Sequence, residues 1–138
     1  MGVHGRTEEE FPGLATSISV RKHGPLTIRV ERDRDSLVLR AVGELDLAGA
    51  PGLEHSLLHV LESGASAIVL DLTGVSFIDS VGLQVLVWAA GCSREDGDRL
   101  RIDGGSPAVS QLINLSGVAG RLPLIASGNS SAAKPLTG

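Results

Sequence analysis

The chain has very few aromatic side chains. Phe11, Phe77 and Trp88 are the only ones, 2% of 138 residues, and there is no Tyr. Without aromatic platforms the chain is a poor candidate for a base-stacking nucleic-acid module. Its core must instead be built from Leu, Val, Ile and Ala. Cysteine is also scarce. Cys92 stands alone, which excludes an internal disulfide and fits a reducing compartment. Positive charge is sparse too. The formal net charge is -4, and "RKH" at 21–23 is the sole basic cluster, so nothing draws the chain to phosphate backbones or anionic lipid. Long apolar runs are missing, with no segment of the roughly 18 uncharged apolar residues that a membrane helix needs. The opening "MGVHGRTEEEFPG" has no apolar stretch typical of a signal peptide, and Arg6 stands where a myristoylation signal requires Ser or Thr. The expectation is a soluble, cytoplasmic protein with neither nucleic-acid nor membrane partners.

Apolar residues make up 42% and charged residues 20%, a composition that supports one aliphatic core. Residues 1–24 mix Gly, Pro, Ser and charge, and are expected to form a flexible tail with at most a short strand near "LATSISV". Residues 126–138, "ASGNSSAAKPLTG", are small and polar and are expected to be disordered. The folded domain then spans about 25–125.

Within it, period-2 and period-3.6 patterns alternate. "LTIRVE" (26–31) and "SLVLRAVGELD" (36–46) read as a hairpin of strands. Pro51 opens a helix running to about Ser63, with Gly64 as its stop. "AIVLDL" (67–72) reads as a buried strand, and 80–91 as a helix closed near Gly91. "RLRIDG" (99–104) is a further strand. Residues 106–117 form a helix with Ser106 as N-cap, Pro107 in its first turn and Gly117 past its end. "RLPLIA" (121–126) is a last strand weakened by Pro123. The class is α/β: a small mixed sheet, with an N-terminal hairpin followed by parallel, right-handed β-α-β crossovers, flanked by helices.

The stretch "IVLDLTGVSFIDSVGLQVLVWA" (68–89) sets an acid and a hydroxyl, Asp79 and Ser80, between two apolar segments. Ser80 falls where a strand pattern gives way to a helix pattern, so it fits an N-cap. A hydroxyl at a helix start is also a place where an added phosphate is tolerated, because the dipole and free N–H groups favour an anion there. The helix that follows is apolar around most of its circumference. Gln84, Val87 and Trp88 share one side with Ser80 and are expected to face solvent or a partner. Asp46, at the end of "GELD", and Asp79 either cap turns, help orient the Ser80 hydroxyl or bind a metal delivered with a nucleotide.

Three ordered motifs, "GELDLAGAPGL" (43–53), "IVLDLTGVSFIDSVGLQVL" (68–86) and "GGSPAVSQLINLSGV" (104–118), resemble the STAS-domain anti-sigma factor antagonists. The resemblance covers about 25–125 and implies a STAS-like fold. It implies a protein that is not an enzyme. Its unphosphorylated form binds an anti-sigma factor serine kinase and releases the sigma factor. Phosphorylation of the serine in "DS-x-GL", Ser80 here, breaks the complex, and a PP2C-type phosphatase restores it. By the same resemblance Asp46, Asp79 and Gly82 support the phosphosite. Val81 departs from the many relatives with a second Ser or Thr there, leaving Ser80 the single acceptor of the motif.

The alternative is a STAS scaffold or a ligand-sensing regulatory subunit of a larger signalling complex. Catalysis has little support. "IDSVG" is not a G-x-S-x-G elbow, and no histidine is placed as a base for Ser80. His55 and His59 are spaced i, i+4 without a third metal ligand in view, and Gly104 and Gly105 lack the lysine of a phosphate loop. No catalytic residue, metal or cofactor is expected.

Overall fold

The computed structural model describes residues 16–125. Six strands form one sheet in chain order: β1 (Thr16–His23), β2 (Leu26–Asp33), β3 (Ser36–Leu45), β4 (Ala67–Ile78), β5 (Leu100–Asp103) and β6 (Leu124–Ile125). The first two pairings are antiparallel and the last three parallel. Between the parallel strands lie α1 (Ala50–Leu61), α2 (Ser80–Glu95) and α3 (Pro107–Ser116). This is the mixed sheet that the alternating periodicities predict.

The reason lies in side-chain alternation. Leu26, Ile28 and Val30 of β2, Leu37 and Leu39 of β3, Ile68, Leu70 and Leu72 of β4, and Leu100 and Ile102 of β5 are all buried. They form one cluster with Leu53, Leu57 and Val60 of α1 and Leu83, Leu86 and Ala89 of α2. The alternate positions carry polar groups and, in the central strands, the buried Val38 and Val69. There Arg40 Nε donates to Glu31 Oε1 at 3.1 Å and its Nη1 to Asp71 Oδ2 at 2.5 Å, while Thr73 donates to Asp71 Oδ1. Gly43 sits inside β3 at φ 116, where a Cβ would lie 2.1 Å from the Pro25 carbonyl oxygen. The β3/β4 register shifts between Gly43 and Glu44, just before the strands reach the functional end of the sheet.

Several sequence expectations need correction. β1 falls inside the segment 1–24 read as tail, and it pairs with β2 along its length as the edge strand. His23, assigned to that tail, packs its ring over Gly52 of α1. β4 runs on to Ile78 instead of ending at 72, because β3 continues alongside to supply ladder partners as far as Leu45. α2 passes through Gly91 to Glu95. A mid-helix glycine costs about 1 kcal/mol, which the burial of Ser93 beyond it helps to offset. Ser93 also accepts the Leu100 N–H at 2.9 Å, tying the end of the helix to β5. α3 has the expected Ser106 N-cap, whose hydroxyl also donates to the Val75 carbonyl, and Gly117 ends it at φ 75. The segment 1–15, and the 126–138 segment expected to be disordered, lie outside the described residues.

Candidate functional site

The site stands at the carboxyl end of β3 and β4, where open α/β sheets commonly present their functional groups. Leu45 and Ile78 are register partners, so Asp46 and Asp79 follow two neighbouring parallel strands directly. The Asp79 N–H donates to the Leu45 carbonyl at 3.3 Å, which ties the two chain exits together. From there the chain enters α1 on one side and α2 on the other. Asp46 serves the first entry: its Oδ1 accepts from Ala48 N at 3.0 Å, and its carbonyl accepts from Gly49 and Ala50.

Asp79 serves the second entry. It is the N-cap of α2, with extended backbone, and its Oδ1 accepts from Gly82 N at 3.0 Å. The sequence reading gave this cap to Ser80. Ser80 is instead the first residue of the helix and is exposed, and its hydroxyl has no protein partner among the described residues. The shift of one residue matters chemically. A capping hydroxyl is tied down in the fold, whereas the Ser80 hydroxyl is free for modification. The cap is testable by thermal unfolding: Asp79→Ala should lose about 1 kcal/mol, and Ser80→Ala should stay within about 0.5 kcal/mol of the parent protein. The reverse ranking would return the capping role to Ser80.

Gly82 fixes how closely α2 approaches the sheet. A Cβ at this position would lie 2.8 Å from the Leu45 carbonyl oxygen and 3.1 Å from Ile78 Cγ1. Only glycine lets the first turn rest on the end of β3. Gln84 is exposed as expected, whereas Val87 and Trp88, expected to face outward, are half-buried and pack against the core.

Sequence reasoning missed the opposite wall. A groove of about 380 Å³ runs between the first turns of α1 and α2, with Leu47, Pro51 and Glu54 on one side and Val81, Gln84 and Trp88 on the other. Leu47 is 70% exposed. The available signal was an aliphatic residue in the polar link between strand and helix, belonging to neither period. His55 and His59 are exposed on α1, and no cluster of three or more His, Cys, Asp or Glu side chains is placed to hold a metal among the described residues. No helix among them is long and apolar enough to cross a membrane.

Comparison with known proteins follows the same lines. The family model "Mlab, STAS domain" matches residues 28–126, and the chain belongs to the STAS-domain family. The relatives it resembles are anti-sigma factor antagonists. The anti-sigma-F factor antagonist RsfB of Mycobacterium tuberculosis is 38% identical over 61 residues, 44% of this chain. The chain spans 50% of the length of RsfB. An anti-sigma factor antagonist from Mycobacterium paratuberculosis aligns with a TM-score of 0.59 and 32% identity, over 72% of this chain and 84% of that one. The anti-sigma factor antagonist SpoIIAA in its unphosphorylated form shares the fold, at 21% identity and a TM-score of 0.62 over 76% of this chain and 91% of its own. SpoIIAA has also been solved in a phosphorylated form.

Proposed function

We propose that this protein is a cytoplasmic anti-sigma factor antagonist whose activity is set by the charge on Ser80. Its unphosphorylated form binds an anti-sigma factor serine kinase and releases the sigma factor. Phosphorylation of Ser80 ends the association, and a PP2C-type phosphatase restores it. The protein itself acts by binding and performs no catalysis. The observation that carries this reading is the exposed Ser80 hydroxyl on the first turn of α2, unbonded among the described residues, beside a cap made by its neighbour.

The physics of the switch follows from that placement. A phosphoserine carries a charge of roughly -1.5 to -2 at pH 7. Asp79 already occupies the Gly82 N–H through its carboxylate and the Leu83 N–H through its carbonyl. The amides of Ser80 and Val81 remain to receive an anion, so the fold itself tolerates the phosphate. A partner packed over Ser80 does not, because it would have to desolvate a dianion. Incubation with the cognate kinase and ATP, followed by intact-mass measurement, tests the assignment. A single added phosphate that maps to Ser80 and is absent from Ser80→Ala is expected. An unchanged mass, or label elsewhere only, would refute it.

A further inference from the structure

The charge of this chain is unevenly distributed along it. Residues 41–93 contain no Lys or Arg, yet they hold Glu44, Asp46, Glu54, Glu62, Asp71 and Asp79. That stretch supplies all of α1, most of α2 and both strand exits beneath them. The bordering cations point elsewhere. Arg40 is engaged by Glu31 and Asp71, and Arg94 lies in the last turn of α2, at the end opposite Ser80. The groove between the two helices is therefore apolar in its walls and anionic at its margin. Glu54 is exposed and is the sole charged residue in its lining, while Asp46 and Asp79 stand at the strand exits beside it.

From this we infer that the groove seats a cationic segment of the partner kinase bearing one apolar side chain. The apolar side chain lies against Leu47, Val81 and Trp88, and the Lys or Arg residues around it face Glu54 and Asp46. The inference rests on the reading of the protein as an anti-sigma factor antagonist, and it adds the chemistry of the surface that the kinase must present. Charge complementarity carries it. A neutral or acidic partner would meet an uncompensated field from this face, while a cationic one is steered towards it.

The two parts of the surface act at different stages. Rim charge acts at long range, governs the encounter and is screened by salt. Contact with Leu47 exists only after docking, so it governs the lifetime of the complex. The Ser80 phosphate also acts after docking. It adds negative charge at long range, but at contact it places a dianion on the first turn of α2, next to Val81 of the groove, where the desolvation cost dominates.

Stopped-flow association of the full chain with the cognate kinase, read through Trp88 fluorescence, separates these effects. Glu54→Lys is expected to slow association roughly fivefold to tenfold at low salt and to flatten its salt dependence, leaving dissociation unchanged. Leu47→Ala is expected to speed dissociation about tenfold with little change in association. Glu62→Lys, also exposed but just beyond the C-terminal end of α1, should change association less than Glu54→Lys. If both groove variants bind as the parent does while Ser80→Asp still abolishes binding, the groove is overturned and the antagonist reading stands. If the parent protein does not bind the kinase, both fail. If Leu47→Ala instead dissolves a dimer of this chain in sedimentation, the seat belongs to a second copy and the kinase assignment is wrong.

Discussion

Ser80→Asp is expected to weaken binding to the proposed anti-sigma factor kinase by at least roughly 100-fold, while Ser80→Ala stays within about threefold of the parent. The contrast follows from what each change does on both sides of the contact. Ser80 is exposed and makes no hydrogen bond within the described residues, so loss of its hydroxyl leaves the fold intact and removes little from a partner. An aspartate places a carboxylate where the partner must close over the first turn of α2. Burying an unpaired charge costs several kcal/mol, and each 1.4 kcal/mol is a factor of ten in affinity. The helix dipole offsets part of that cost, about 0.3–1 kcal/mol at an exposed helix start, which is too little to rescue the complex. Titration calorimetry with the purified kinase measures both values. Equal affinity for the two variants would remove charge at position 80 as the controlling variable.

The second large effect concerns a pair of glycines on one helix, for which opposite outcomes are expected. Gly82→Ala should destabilise the protein by about 2–3 kcal/mol, in the range of overpacking a filled site. Its new methyl meets the Leu45 carbonyl at 2.8 Å, and that backbone is held in the β3/β4 ladder. The roughly 1 kcal/mol that alanine gains over glycine in helix propensity is included in this net figure. Gly91→Ala should stabilise by up to about 1 kcal/mol, because nothing lies nearer to its added methyl than the flexible Arg94 Nη2 at 3.8 Å. Thermal or denaturant unfolding separates the two, with a fall in midpoint of roughly 10 °C expected for Gly82→Ala. Because its cost arises where α2 meets β3, the Gly82 variant should also lose partner binding. A stabilised Gly82→Ala protein would mean that α2 does not rest on the end of the sheet as described.

Much of the fold was legible because the alternating strands and amphipathic α1 carry clean periods. Leu26, Ile28 and Val30 announce a strand with one buried face, and Ser106, Pro107 and Gly117 mark both ends of α3. The errors arose where tertiary contacts outweigh local signals. Residues 73–78 fall outside the strand read at 67–72, yet they extend β4 because β3 provides hydrogen-bonding partners beside them. Gly91 reads as a stop, yet packing on both sides carries the helix past it. For β1 the sequence allowed only a short strand near "LATSISV", and pairing with β2 carries it on to His23. At the site, the sequence placed the cap of α2 one residue too late, on Ser80 instead of Asp79. Asp79 and Ser80 are both good caps, and only the backbone geometry at 79 decides which of them holds the Gly82 amide. The groove was illegible because its walls come from residues far apart in the chain, and no pattern within either helix indicates that Leu47 faces Trp88 across a gap.

The separation of cap from acceptor has an evolutionary consequence. Since Asp79 bears the structural duty at the start of α2, position 80 is thermodynamically idle in the resting protein and free to drift once signalling no longer uses it. A descendant with alanine or glycine there would keep its architecture while losing its responsiveness, and a change at 79 would register first as a weaker fold. The two adjacent positions thus answer to different demands, one to the proposed regulation and one to stability.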